Sequence, residues 1–210
     1  MTDDYRLCYY ATTCTDNVGV FARRLPSLMN LLEKIKLMTA DEIGLALRGL
    51  AQEIVDHNGS GDEIALVGIR RRGVPLGERL ARALWEIESV EVSVGYLDIN
   101  LYRDDLSTVA TQPIIQSTEI DFPMNEKVVV LVDDVLYTGR TVRAAMDALA
   151  DYGRPKAIQL CVLIDRGHRE LPIQANFVGK TVTTKEIEMV EVRLNEVDQI
   201  EDVLLVEKAS

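Results

Sequence analysis

Residues 127–153, KVVVLVDDVLYTGRTVRAAMDALADYG, leave this chain few ways to fold. Val128, Val129, Val130, Leu131 and Val132 form an unbroken apolar run, β-branched but for Leu131. A short run of this kind reads as a strand buried on both faces, as in a parallel sheet. Asp133 and Asp134 follow at once, then Val135, Leu136 and the small polar stretch Tyr137, Thr138, Gly139, Arg140, Thr141. Val142, Ala145, Met146 and Leu149 then recur at helical spacing until Gly153 and Pro155 stop the helix. Strand, acidic pair, turn and helix in that order predict an α/β fold with a mainly parallel central sheet flanked by helices.

The same order carries chemistry. A helix N-terminus offers unpaired N–H groups and partial positive charge to an anion such as phosphate. Gly139 lets the backbone approach it, and Thr138 and Thr141 add hydroxyls. Carboxylates beside a phosphate site make sense if the ligand also carries a sugar diol, or a Mg²⁺ ion bound directly or through water. A solvated loop with helix-capping acids would account for one aspartate but not for the ordered set. The chain has no G-x-x-x-x-G-K-[ST] and no G-x-G-x-x-G after a strand, which removes the P-loop and dinucleotide readings.

The remaining elements fit one α/β domain. Thr39 and Glu42 form a capping box for a helix burying Ile43, Leu47, Leu50 and Ile54 and ending at Asn58–Gly59. Residues 63–69 read as the first core strand, and Arg70, Arg71, Arg72 and Gly73 follow it as a second anion-binding loop. Pro75 opens a helix burying Leu76, Leu80, Leu84 and Ile87. Residues 90–101 read as a long strand whose apolar face slips at Gly95, the mark of a bulge. Arg103, Asp104 and Asp105 then lead into a polar stretch to about residue 118, the profile of a lid. Residues 157–164 form another buried strand, ending in Asp165, Arg166, Gly167, His168 and Arg169. In open α/β sheets ligands sit beyond the carboxyl ends of strands, so this loop is expected to face the same crevice. Residues 190–194 alternate as a short strand.

Composition bounds the function. Of the net charge of −11, −7 falls in residues 186–207, eight acids against Arg193, leaving −4 for the rest. That balance excludes indiscriminate nucleic-acid binding, and the acidic tail is expected to face solvent. Three scattered cysteines and two histidines cannot build a zinc cluster and point to a reducing, cytoplasmic compartment. No apolar run is long enough to span a membrane, and the acidic start is no secretory signal. Residues 1–36 read as an extension, disordered or lying before the true start, with Met29 and Met38 as alternative starts; residues 26–35 carry a short amphipathic helical pattern through Leu28, Leu31, Leu32 and Ile35.

VVLVDDVLYTGRT resembles the phosphoribosyl-pyrophosphate (PRPP) signature of the type I phosphoribosyltransferases, and its Leu136–Tyr137 with DRGHRELP at residues 165–172 is similar to the PyrR branch, pyrimidine-operon regulators that also act as uracil phosphoribosyltransferases. DINLYRDDL and NEVDQ extend the likeness over residues 37–207, most of the chain. The resemblance implies a type I phosphoribosyltransferase fold with a small hood over residues 37–210, making UMP and diphosphate from uracil and PRPP. It implies that Asp133 and Asp134 hold the ribose and that Val135 to Thr141, named above, bind PRPP. Arg70, Arg71, Arg72 and Gly73 would hold the diphosphate, often through a non-proline cis peptide, although the family often has threonine where this chain has Arg71. Arg103 would act at the phosphates under a lid oriented by Asp104 and Asp105. Asp165 and Arg166 would belong to the base-binding hood, and His168, Arg169 and Lys180 to an RNA-facing side. Mg²⁺ would arrive with PRPP, held by phosphate and water and by no direct protein ligand. UMP or UTP would be co-ligands on a pyrimidine mRNA leader, and the family forms dimers or larger assemblies. Gly49 and Gln52 stand where RNA-binding members tend to carry basic or polar contacts, so an enzyme without RNA binding, or one for another base, remains the alternative.

Overall fold

The structure, a computed structural model, describes residues 31–59, 63–89, 91–99 and 118–208. In chain order the elements are β1 (Leu31–Thr39), α1 (Ala40–Asn58), β2 (Ile64–Ile69), α2 (Gly73–Glu88), β3 (Ser93–Leu97), β4 (Val128–Leu136), α3 (Arg140–Leu149), β5 (Ala157–Asp165), β6 (Phe177–Thr181), β7 (Glu188–Arg193), the short helix α4 (Asn195–Asp198) and β8 (Asp202–Lys208). A five-stranded sheet runs β3-β2-β4-β5-β6 with every pairing parallel. A separate three-stranded antiparallel sheet, β1-β8-β7, forms the hood.

Burial explains the main sheet. Every residue of β2 is buried, as are Val129, Val130, Leu131 and Val132 of β4. Strands covered on both faces need no alternation, which is why the apolar runs are continuous. One face packs against α1 and α2, through Ile43, Leu47, Leu50, Leu76, Leu80 and Leu84. The other packs against α3, through Val142, Ala145, Ala148 and Leu149. The chain leaves β2 for β3 on one side and returns to β4 on the other, so the strand order reverses between β2 and β4. The carboxyl ends of these two strands border the crevice where ligands bind in such sheets.

The capping box forms as expected: the Glu42 N–H donates to Thr39 Oγ1 at 3.3 Å and the Thr39 N–H to Glu42 Oε2 at 2.8 Å. Three other expectations do not hold. The helical pattern over residues 26–35 gives way, from Leu31 on, to a strand paired along β8. Its Lys34 bridges Glu188 and Glu207, and its Lys36 bridges Asp202, so cross-strand charge pairs override the local helical period. Gly95 is no bulge, since β3 pairs with β2 in continuous register from Ser93 to Leu97. A Cβ at Gly95 would lie 3.1 Å from Ile120 Cγ1 and from Phe122 Cε1, so glycine serves the close approach of the returning chain. The acidic tail is not a solvated face either. Asp202 is 2% exposed and forked by Arg193, with bonds of 2.7 and 2.8 Å, while Glu196 and Glu201 both take Arg79. Among the described residues no helix is long and apolar enough to cross a membrane.

The helix α2 lies directly on the sheet backbone at Gly68, where an added Cβ would sit 2.5 Å from the Gly73 carbonyl oxygen and 2.7 Å from Val74 Cα. Both neighbours are main chain and cannot swing aside. Gly68→Ala is expected to cost at least about 1–3 kcal/mol, read as a lower urea midpoint with an unchanged slope.

Candidate active site

At the end of β4 the chain turns through Tyr137, Thr138 and Gly139 into α3. Gly139 adopts φ +93°, a left-handed conformation that glycine takes without strain, and a Cβ there would press on Ile173 at 3.3 Å. The turn is held from behind. The Arg169 guanidinium donates to the carbonyls of Tyr137 at 2.7 Å, Gly167 at 3.0 Å, Ile173 at 3.1 Å and Leu136 at 3.4 Å, and to Asp165 Oδ2 at 2.5 Å. The N–H groups of Glu170 and Leu171 donate to the Thr138 carbonyl at 3.0 and 3.1 Å. With its carbonyls drawn to this side, the turn keeps its amides for the other, and the first-turn N–H groups of α3 have no acceptor inside the helix. A pocket of about 350 Å³ opens there, lined by Val135, Leu136, Tyr137, Thr138, Gly139, Arg140, Thr141, Val142 and Glu170. Arg140, at its rim, bonds Glu170 at 2.7 Å.

Asp133 is 8% exposed and receives the Asp134 N–H at 2.9 Å; Asp134 receives the Val135 N–H at 2.9 Å. Burial pushes the Asp134 carboxyl above its usual range, and the charge of Arg72 works against that rise. The two acids therefore sit at the carboxyl end of the central strand beside the phosphate turn.

The arginine loop faces them. The Arg70–Arg71 peptide bond is cis, as the resemblance implies. Arg70 bonds Glu119 at 3.0 Å and lies 5.7 Å from the Tyr96 ring centroid. Arg72 forks onto Asp198 of α4 at 2.9 and 3.0 Å. Arg71 is exposed, and with Arg70, Val74, Pro75, Glu78, Glu196 and Val197 it lines a second opening of about 370 Å³. The loop is seated hard on β4, since a Cβ on Gly73 would lie 2.3 Å from the Val132 carbonyl oxygen.

On the hood side Arg166 is 5% exposed, with its guanidinium 4.1 Å from the Tyr137 ring centroid and its Nη2 on the Glu188 carbonyl at 2.6 Å. Burial pulls its pKa down, opposed by Tyr137 and Glu188. It joins Asp165, His168, Arg169 and Thr184 around a cavity of about 600 Å³. His168 Nε2 meets the Thr184 carbonyl at 2.7 Å, and Lys180 Nζ donates to the Leu37 carbonyl at 2.7 Å. The structure thus places Asp133 and Asp134 at the carboxyl end of β4, between the turn and the arginine loop, each of which lines its own opening, and ties Arg169 inward instead of presenting it to solvent. Arg103, Asp104 and Asp105 lie outside the described residues. Sequence reading missed Asp198 and Glu119 as partners of the loop; the signal was chemical, since adjacent arginines at a half-buried strand end need counter-charges.

Comparison with known proteins decides the family. The phosphoribosyl transferase domain profile matches residues 37–196. "Bifunctional protein PyrR" of Pelotomaculum thermopropionicum is 58% identical over 177 residues, 84% of this chain and 98% of that protein. The chain belongs to the PyrR family of phosphoribosyltransferases. The PyrR protein of Clostridioides difficile is 49% identical over 84% of this chain and 100% of its own length. The solved hypoxanthine phosphoribosyltransferase of Trypanosoma cruzi superposes with a TM-score of 0.64 at 16% identity, covering 84% of this chain and 98% of its own. A hypoxanthine-guanine enzyme of Bacillus anthracis gives 0.63 at 18%, covering 84% and 99%. At such identities the likeness is one of fold, and it confirms the type I phosphoribosyltransferase architecture that the PyrR resemblance implied.

The raised carboxyl of Asp134 has a consequence for stability. A folded state that holds a proton more tightly than the unfolded chain gains from it below the ordinary carboxylate pKa and loses that gain as pH rises through the folded value. At neutral pH the ionised, half-buried Asp134 therefore costs stability. Asp134→Asn should melt higher than the parent at pH 7, and the gap should close as the pH falls through the raised folded value and be gone below about 4, the ordinary aspartate pKa; thermal melts across that range check it.

Proposed function

We propose that this protein transfers ribose 5-phosphate from PRPP to uracil, giving UMP and diphosphate. The observation that carries this reading is the joint placement of Asp133–Asp134, the turn 137–141 and the arginine loop 70–73 at the reversal point of the sheet. The turn and the N-terminus of α3 fit the 5-phosphate. Asp133 and Asp134 fit the ribose hydroxyls as acceptors, and Arg70, Arg71, Arg72 and Gly73 fit the diphosphate. As the C1–O bond to diphosphate breaks, positive charge develops on the ribose, much as in glycoside cleavage, and C1 then bonds to uracil N1 with loss of its proton. Asp133, buried, and Asp134, half-buried, would favour that cation. The lid, with Arg103, Asp104 and Asp105, would exclude the water that would otherwise capture it.

Among the described residues no three His, Cys, Asp or Glu side chains gather as a metal site. Two adjacent carboxylates at the strand end beside the arginine loop fit Mg²⁺, which keeps water and phosphate oxygens readily. Bound with PRPP, it would supply neutralising charge for the departing diphosphate. Asp165 and Arg166 stand at the hood side, where the base is expected to lie.

The word "bifunctional" in the relatives' name supports a second role, a pyrimidine-nucleotide-responsive regulator in the cytoplasm that binds a pyrimidine mRNA leader with UMP or UTP, as a dimer or larger assembly. His168 and Lys180, both exposed, are the direct candidates for RNA; Arg169, bonded inward at Asp165 and the turn, would hold their loop in place.

Purified protein with Mg²⁺, PRPP and a panel of bases should form a nucleotide from uracil in preference to hypoxanthine, guanine and orotate. The paired change Asp133→Asn with Asp134→Asn should lower kcat/KM by about 10²-fold or more. A wild-type protein silent with uracil would overturn the substrate. A gel shift on the leader RNA, weakening steeply with salt, tests the regulatory role.

A further inference from the structure

NEVDQ, residues 195–199, is a motif that the reaction described above leaves without a task. It contains α4, and α4 is bolted to α2 at two points. Arg79 binds Glu196 through Nε and Nη2, both at 2.8 Å, and Glu201 at 2.5 and 3.0 Å. Two helical turns earlier, on the same face of α2, Arg72 forks onto Asp198, Nε to Oδ2 at 3.0 Å and Nη2 to Oδ1 at 2.9 Å. Asp198 Oδ2 also receives the Leu194 N–H at 3.0 Å, which fixes the carboxylate plane. Planar forks of this kind set direction as well as energy.

Arg72 stands between two acids. Its hydrogen bonds run to Asp198, while the next residue, Gly73, is seated on the end of β4, where an added Cβ would lie 2.3 Å from the Val132 carbonyl oxygen and 3.4 Å from Asp133 Cα, so that Arg72 also feels the charge of Asp134. Asp134 is half-buried beside the turn into α3, and partial burial disfavours its charge. An unclaimed guanidinium at that position would be drawn to it.

We propose that Asp198 is a positioning residue for PRPP: by occupying the Arg72 fork it holds that guanidinium off Asp134 and leaves Asp134 open to the ribose hydroxyls. The proposal rests on the transferase reading above. It gives the hood motif a direct line to the sugar site, since α4, which leads into β8, carries Asp198 while β4 carries Asp134. It also divides the arginine loop. Arg70 is turned toward Glu119 and Arg72 toward Asp198, while Arg71 is exposed beside them, so Arg72 meets the diphosphate with its fork already held by Asp198.

The test is steady-state kinetics with PRPP and uracil on wild type, Asp198→Ala, Asp198→Asn, Arg72→Gln and the double variant Arg72→Gln/Asp198→Ala, with a melting curve for each. The expected result is a roughly tenfold or larger rise in KM for PRPP in both Asp198 variants, with KM for uracil unchanged. In the Arg72→Gln background, loss of Asp198 should change KM for PRPP by less than about twofold, because the guanidinium it restrains is gone. Wild-type KM for PRPP in the Asp198 variants would overturn the proposal, as would full additivity in the double variant. Failure of both Asp198 variants to fold would make the residue a purely structural strut and would overturn it too. An inactive wild type would instead refute the transferase reading, so the two failures are separable.

Discussion

The site depends on which way a few peptide groups point. The carbonyls of Leu136, Tyr137 and Thr138 are claimed by the segment that follows β5, through the Arg169 guanidinium and the N–H groups of Glu170 and Leu171. A peptide unit whose oxygen is tied to one side presents its N–H to the other. The turn thereby presents main-chain N–H groups suited to the anion proposed for it, and Gly139 supplies the left-handed step that lets it pass into α3. Arg169 is held in turn by Asp165, so a strand neighbouring β4 sets the geometry of the β4 turn. DRGHR in this sense shapes the turn, although none of its side chains lines the pocket beside it.

Much of this was legible in the chain. The unbroken apolar run of β4, the acids after it and the helical spacing from Val142 gave strand, site and helix, because each is a local pattern that burial on both faces preserves. The Thr39–Glu42 box was equally local. What was not legible depends on partners far along the chain. Residues from Leu31 form a strand only because β8 lies beside them, and Gly95 is needed only because Ile120 and Phe122 return across it. The acids of residues 186–207 read as a solvated tail because their cations, Lys34, Arg72 and Arg79, lie more than a hundred residues away. Charge patterning within a window cannot find such pairs. The inward turn of Arg169 was hidden for the same reason, since its acceptors are carbonyls, which no composition reveals.

The charges also explain how two sheets of unlike kind act as one site. The parallel sheet supplies the phosphate turn and the acids, and the antiparallel hood supplies α4 and the 185–188 turn. Between them run Arg72–Asp198, Arg79–Glu196 and the contact of Arg166 with the Glu188 carbonyl. Partly buried forks of this kind are directional, and losing one partner strands the other. They fix the angle of the hood over the crevice more firmly than apolar contact alone would, since apolar contact has no preferred direction.

In the hood the strand order is β1-β8-β7, with the last strand in the middle. Neither outer strand has a ladder to join until that central strand arrives, so β1 must wait through the synthesis of the whole parallel sheet before it can pair. The turn after β4 is therefore synthesised before the hood above it can pair, and the hood closes in one late step when β8 enters between β1 and β7.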